Sequence, residues 1–114
     1  MEVKRGDVIY LTGYEDDPRK ARPFVVVSNN IGNHFGTICL GVPLTSRHKK
    51  LNQPTHCIVK YHESMVMAEQ VHTIDKSDIE NVVFQLDKED MDKLDECLKV
   101  SLALIKGFDT HGDV

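Results

Sequence analysis

Lys20-Ala21-Arg22-Pro23-Phe24-Val25-Val26-Val27-Ser28-Asn29-Asn30 carries the chain from a charged loop into an apolar strand. From Phe24 to Ser28 the run is almost unbroken in its apolar character and lacks the alternation of a half-exposed strand, so burial on both faces is expected. Proline fixes its own φ and drives the residue before it into an extended conformation. Arg22 is therefore expected at the mouth of this strand on a backbone of set direction, a good mount for a fixed cation.

The neighbours of this strand are read from period and punctuation. Asp7-Val8-Ile9-Tyr10-Leu11-Thr12 is β-prone and follows Gly6, so it reads as the first strand, whereas the polar, proline-containing stretch from Gly13 to Ala21 reads as an exposed loop. Asn29 to Asn33 reads as a turn, and Thr37 to Leu44 as a third strand in which Pro43 marks an edge or a bulge. Thr55 to Tyr61 alternates weakly. Ser64 to Ile74 is a strand pair or one long bent strand, Asp75 to Glu80 a single helical turn capped by Asp75 or Ser77, and Val82 to Leu86 a last short strand.

The strongest helix signal begins at Asp87, an N-cap residue with Glu89 and Asp90 in the first turn, where the helix dipole favours negative charge. Met91, Leu94, Leu98, Ser101, Leu102 and Ile105 recur at three- and four-residue steps, and Gly107 is the expected stop. Five or six short strands and one long C-terminal helix make the chain α+β, mainly β. The expected architecture is a small, strongly bent antiparallel sheet or partly open barrel.

At 114 residues the chain is the size of one domain, and residues 1–114 are read as a single unit. No apolar run is long enough to span a bilayer and the N-terminus lacks a signal-peptide core, so a cytoplasmic protein is expected. Cys39, Cys57 and Cys97 are odd in number and widely spaced, the pattern of reduced thiols packed as small hydrophobes. The net charge of −4 hides an asymmetry: residues 1–60 carry +4 and the remainder −8. The basic half is the one suited to a polyanion.

Several chemistries have no footing. There is no phosphate-cradling glycine loop, no Cys-x-x-Cys and no His-x-x-x-His on a helix. His56, Cys57 and His62 are close in sequence, but adjacent strand residues point to opposite faces, so no metal site and no cofactor is expected. What remains is a basic, hydroxyl-bearing surface from two strand ends: Arg19, Lys20 and Arg22 on one side, Thr45, Ser46, Arg47, Lys49 and Lys50 on the other. A fixed guanidinium and a hydroxyl donor stabilise the charge that a phosphodiester gains on its non-bridging oxygens in the transition state. From composition alone the favoured reading of Thr45-Ser46 is a plain turn, in which the hydroxyls bond their own backbone.

Val3-Lys4-Arg5-Gly6-Asp7-Val8, Arg22 through Asn33, Leu44-Thr45-Ser46, Pro54-Thr55-His56, Glu69 through Lys76 and Ser101-Leu102-Ala103-Leu104-Ile105 follow one another in an order that resembles the MazF/PemK family, the messenger-RNA interferase toxins of type II toxin–antitoxin systems. The likeness runs from about residue 3 to residue 105. It implies an SH3-like, partly open barrel, a homodimer, and ribosome-independent, metal-independent cleavage of single-stranded RNA at specific sequences to a 2′,3′-cyclic phosphate and a 5′-hydroxyl. By the same resemblance Arg22 and Thr45 are the catalytic pair, with Ser46 the next contributor. Glu69 and Gln70 fall on the segment near bound bases, and Arg19, Lys20 and Arg47 on the basic surface that meets RNA. A MazE-like antitoxin with an acidic tail is the implied partner. Ala21 stands where relatives commonly have glycine, and the loop from Gly13 to Ala21 is shorter than usual, so the family's cleavage motif is not transferred. A non-catalytic poison of a topoisomerase on the same barrel is the rival from another class, and it leaves the pairing of Arg22 with Thr45 without a purpose.

Overall fold

Val25 and Val26 are both fully buried, and they are buried in different places. Val25 joins Val8, Val42, Leu44, Val66 and Leu94 in one core cluster, while Val26 joins Val3, Ile9, Cys39, Ile74 and Ile79 in a second. Neighbouring strand residues point to opposite faces, so a strand with two apolar faces feeds two cores, as its unbroken apolar run requires. This is a computed structural model, and it describes residues 2–12 and 22–104. The loop expected over residues 13–21 and the helix stop expected at Gly107 lie outside the described residues.

The elements in order are β1 (Asp7–Leu11), β2 (Phe24–Val26), α1 (Asn30–Phe35), β3 (Ile38–Thr45), β4 (His56–Ile58), β5 (Met65–Met67), β6 (His72–Asp75), β7 (Ile79–Gln85) and α2 (Lys88–Ser101). One-turn 3-10 helices at Tyr61–Glu63 and Lys76–Asp78 complete them. The seven strands form an antiparallel sheet in the order β4-β5-β3-β2-β1-β7, with β6 also on β3. β4 and β7 do not meet among the described residues, so the barrel stays open.

The long strand β3 organises the rest. One edge pairs with β2 from Gly41 to Pro43. The other edge holds β6 from Ile38 to Gly41 and then β5 at Leu44 and Thr45. The stretch from Ser64 to Ile74 is thus two separate strands that share one partner in succession. Pro43 lies in a central strand, which corrects the expectation of a sheet edge or a bulge. It is tolerated because Leu44 N–H is spent on Pro23 O at 2.9 Å, so the N–H that Pro43 lacks would point the other way, into the gap between β6 and β5. Gly41 sits where β2 and β6 both press on β3, and a Cβ there would lie 2.7 Å from Ile74 Cδ1.

Two local expectations change. The turn at Asn29–Asn33 is the start of the short helix α1: Asn29 caps it, accepting from Gly32 N–H at 2.8 Å. Buried Asn33 donates to Ser28 O at 2.9 Å, and Lys76 Nζ closes the other end on Asn33 O and Gly36 O at 2.7 and 3.0 Å. α2 begins at its expected cap, Asp87, which accepts from Asp90 N–H at 2.9 Å. It stops at Ser101, six residues short of Gly107. Ala103 takes a left-handed φ of 57°, its N–H bonds Val100 O, and Leu104 N–H bonds Lys99 O at 2.7 Å. That is a Schellman closure with alanine in the place glycine usually holds. Leu102, expected on the buried stripe, is consequently 54% exposed. Asp75 caps the turn that follows it by accepting from Ser77 N–H, as expected.

Candidate nucleic-acid interface

The register of β2 on β3 assembles the site. Phe24 pairs with Pro43, and Leu44 N–H bonds Pro23 O, so one further step along the ladder sets Arg22 opposite Thr45. Both stand where strands give way to loops. A cleft of about 480 Å³ opens at this rim, and Arg22, Thr45, Ser46 and Arg47 line it together with Pro23 and Leu44. Four of the residues singled out in the sequence are thereby brought to one surface.

Thr45 Oγ1 accepts from Arg47 N–H at 3.1 Å, so the local turn that the hydroxyl pair signals is present. Accepting that bond leaves the Thr45 O–H proton available to donate, and it orients the oxygen as well. The turn and a phosphate site are therefore compatible at Thr45.

The far wall of the cleft was not read from the sequence. Tyr10 reaches it from β1, and Tyr61, His62 and Ser64 from the connection between β4 and β5. That connection is strained: His62 and Glu63 both have left-handed backbones, at φ 50° and 48°. Each such residue costs on the order of 1–2 kcal/mol, so the surroundings must hold it. His48 does so by donating from Nε2 to Glu63 O at 2.6 Å, which ties the 61–64 connection to the loop after Thr45. Tyr61 packs edge-on against His62, ring centroids 4.4 Å apart, and rests against Phe84 at 5.2 Å. Burial, followed by the hydrogen bond with the Tyr10 hydroxyl, pushes the Tyr61 phenol up to about 12. Near neutral pH Tyr61 is a protonated hydrogen-bond partner and an aromatic face, not a base. A tyrosine and a histidine directly after a short strand were the available signal, but only the antiparallel register carries them to Arg22.

Glu69 and Gln70 follow β5 at its end away from Thr45 and do not line the cleft. Glu69 accepts from Thr55 Oγ1 and faces His56 Nε2, each at 3.0 Å, and the His56 ring meets Lys50 O at 3.0 Å through Nδ1. Burial works against the Glu69 carboxylate, but hydrogen bonds from His56, its own backbone and Thr55 outweigh it and hold the group below the usual carboxylate range. Gln70 is exposed and donates to Met67 Sδ at 3.6 Å. Arg19 and Lys20 lie outside the described residues. Among the described residues no group of three or more His, Cys, Asp or Glu side chains is gathered as a metal would require. None of the described helices is long and apolar enough to cross a membrane.

The antiparallel, open-barrel architecture is shared with solved toxin structures. An endoribonuclease in complex with its cognate antitoxin, from mycobacterial species, superposes with a TM-score of 0.78 at 24% identity, covering 90% of this chain and 97% of that one. MazE-MazF from Deinococcus radiodurans (Form-III) gives 0.71 at 19%, covering 92% and 100%. In sequence, residues 4–102 match the family described as PemK-like, MazF-like toxin of type II toxin-antitoxin system. The chain belongs to that family. It is similar to Endoribonuclease EndoA of Bacillus subtilis (strain 168), 38% identical over 116 residues that cover 92% of this chain and 98% of that protein.

Proposed function

We propose that the chain is the RNA-cleaving toxin of a type II toxin–antitoxin pair, a metal-independent endoribonuclease acting on single-stranded messenger RNA. The observation that carries this is the placement of Arg22 opposite Thr45 on one cleft, in a chain 38% identical to a named endoribonuclease. The 2′-oxygen of the substrate attacks the adjacent phosphorus and the bond to the 5′-oxygen breaks, leaving a 2′,3′-cyclic phosphate and a 5′-hydroxyl. Arg22 neutralises charge on the non-bridging oxygens, and the Thr45 hydroxyl donates a hydrogen bond to the same phosphate. Arginine does not give up a proton readily, because its pKa lies above about 12. The proton transfers are assigned to His62, the imidazole lining the cleft. Ser46 and Arg47 extend the phosphate track and Tyr61 offers a face on which a base stacks. Arg19 and Lys20 are assigned to RNA binding by their charge in the sequence alone. Glu69 and Gln70 are assigned to the base-reading end, Gln70 through its exposed amide and Glu69 chiefly by setting the basic loop through His56.

The protein acts in the cytoplasm as a homodimer, and a MazE-like antitoxin lays an acidic segment over the basic rim and competes with RNA there. The solved neighbours in complex with antitoxins support this assignment of partner. Purified protein incubated with a long RNA in EDTA is expected to yield cyclic-phosphate ends at a short recurring sequence. Arg22→Ala and Thr45→Val are expected to lower the rate on the order of 100-fold or more while leaving the fold intact. Undiminished cleavage by either variant would falsify the assignment.

A further inference from the structure

We propose that His56 is a positioning residue for RNA binding: doubly protonated, it pins the basic loop 47–53, and the loss of one proton frees that loop. This deepens the proposed function and rests on the reading that the basic loop meets RNA. The His56 side chain is 6% exposed, and each of its ring nitrogens faces an oxygen that accepts. Nδ1 stands 3.0 Å from Lys50 O, and Nε2 stands 3.0 Å from Glu69 Oε2. A neutral imidazole has a single N–H and satisfies one of these acceptors, whereas the imidazolium satisfies both. Glu69 is itself held in place, because Gln53 Nε2 donates to Thr55 Oγ1 and Thr55 Oγ1 donates to Glu69 Oε1, each at 3.0 Å. Partly exposed and held below the usual carboxylate range, Glu69 is ionised near neutral pH and accepts from the ring.

The loop is fastened near its start by Arg47 N–H on Thr45 Oγ1 and by His48 Nε2 on Glu63 O. Farther along, the fastening is Lys50 O, which accepts from Gln53 N–H at 2.9 Å as well as from the His56 ring. Lys50 holds a left-handed backbone at φ 55°, a conformation its surroundings must stabilise. Arg47, Lys49 and Lys50 are exposed, so the fastening governs where these cations stand, not whether they are charged. The charged and titratable groups around the ring are Glu69 after β5, Lys49 and Lys50 on the loop, and Cys97 on α2, which lies within range of its charge. When the ring gives up a proton, the remaining N–H stays with the charged acceptor, Glu69, and the Nδ1 lone pair is left facing Lys50 O. Those two repel, and the far end of the loop lets go. Protonation of Glu69 at low pH breaks the ion pair from the other side. The fastening therefore belongs to the pH range between the two titrations, and RNA affinity falls as the pH rises through the imidazole step.

The test uses the full chain, isotope-labelled on nitrogen and read first without RNA. Magnetic resonance of the histidine rings is expected to show both His56 nitrogens protonated on the acid side of the step and one N–H beyond it. The backbone amides of residues 49–53 are expected to shift at the same pH. Binding of a mixed-sequence single-stranded RNA carrying 2′-O-methyl groups, which block the attack, is then measured across that step. Wild-type affinity should fall on the order of tenfold, while His56→Gln, which has no titrating ring, should bind weakly throughout and lack the step. With cleavable RNA the His56 step should appear in KM, whereas kcat follows His62. Should His56→Gln misfold, coincidence of the ring, amide and affinity steps in the wild type decides the matter. A ring with a single N–H at every pH, loop amides that do not follow it, or the same affinity step in His56→Gln would each overturn the proposal. A chain that binds RNA with this step and leaves it uncut would overturn the proposed activity and not the role of His56.

Discussion

Replacing Asp90 with alanine should unfold this protein more easily than removing either partner of its exposed ion pairs. Asp90 is 1% exposed in the first turn of α2, and its Oδ2 accepts from the backbone N–H of Lys60 at 2.8 Å. A hydrogen bond to a charged acceptor contributes about 1.5–3 kcal/mol, and the loss of an anion from a helix's first turn adds about 0.3–1 kcal/mol. Asp90→Ala is therefore expected to cost about 2–4 kcal/mol. The Lys60 side chain meets Asp87 and Glu89 at 2.7 and 3.2 Å on the same helix turn, but all three side chains are more than half exposed. Lys60→Met, which leaves the backbone N–H in place, should cost no more than about 1 kcal/mol. Urea unfolding followed by far-ultraviolet circular dichroism gives both values from the midpoints, provided the slope is unchanged. If Lys60→Met destabilised as much as Asp90→Ala, the tie between α2 and the cleft wall would be the exposed ion pair, and the assignment to the buried backbone bond would fail.

The other expectations are smaller. Ala103→Gly should raise stability by about 0.5–1 kcal/mol in the same urea assay, because it relieves the left-handed strain at φ 57°, and a loss would mean that the alanine methyl makes a needed contact. Glu69 has a folded-state pKa below its unfolded value, so its contribution is present above the unfolded pKa and is lost as the pH falls through the folded one. Glu69→Gln should accordingly be less stable than the wild type near pH 7, with the difference closing as the pH drops below the carboxylate range; a constant gap would refute the linkage.

Much of this fold was legible because the chain states its strands locally. The apolar run from Phe24 to Ser28 announced two-sided burial, the β-prone run from Asp7 to Thr12 announced β1, and Asp87 with Glu89 and Asp90 announced the start of α2. The end of α2 was not legible, since Ala103 does what glycine ordinarily does and the next glycine downstream drew the boundary too far. α1 was read as a turn because its first residues, Asn29 and Asn30, serve a turn and a helix cap equally well. In the site, Arg22 and Thr45 were legible from strand ends, but their opposition depends on a register that no local pattern specifies. Tyr10 comes to the cleft from β1, and Tyr61, His62 and Ser64 from the connection between β4 and β5, where the left-handed pair at His62 and Glu63 contains no glycine to mark such backbone. Their placement is a product of topology. Glu69 carried no sign that His56 and Thr55 would engage it, because those partners lie 13 and 14 residues earlier in the chain.

Pro43 has a bearing on error as well as on stability. A strand that must serve two partners along one edge is exposed to slippage, since β5 sliding by one residue would exchange the faces that its three buried side chains occupy. With no N–H to offer, Pro43 is a position at which a slipped ladder forfeits a bond. It acts as a stop on the ruler, ending one partner's pairing and starting the next, and so fixes which residue of β3 arrives at the rim. That residue is Thr45.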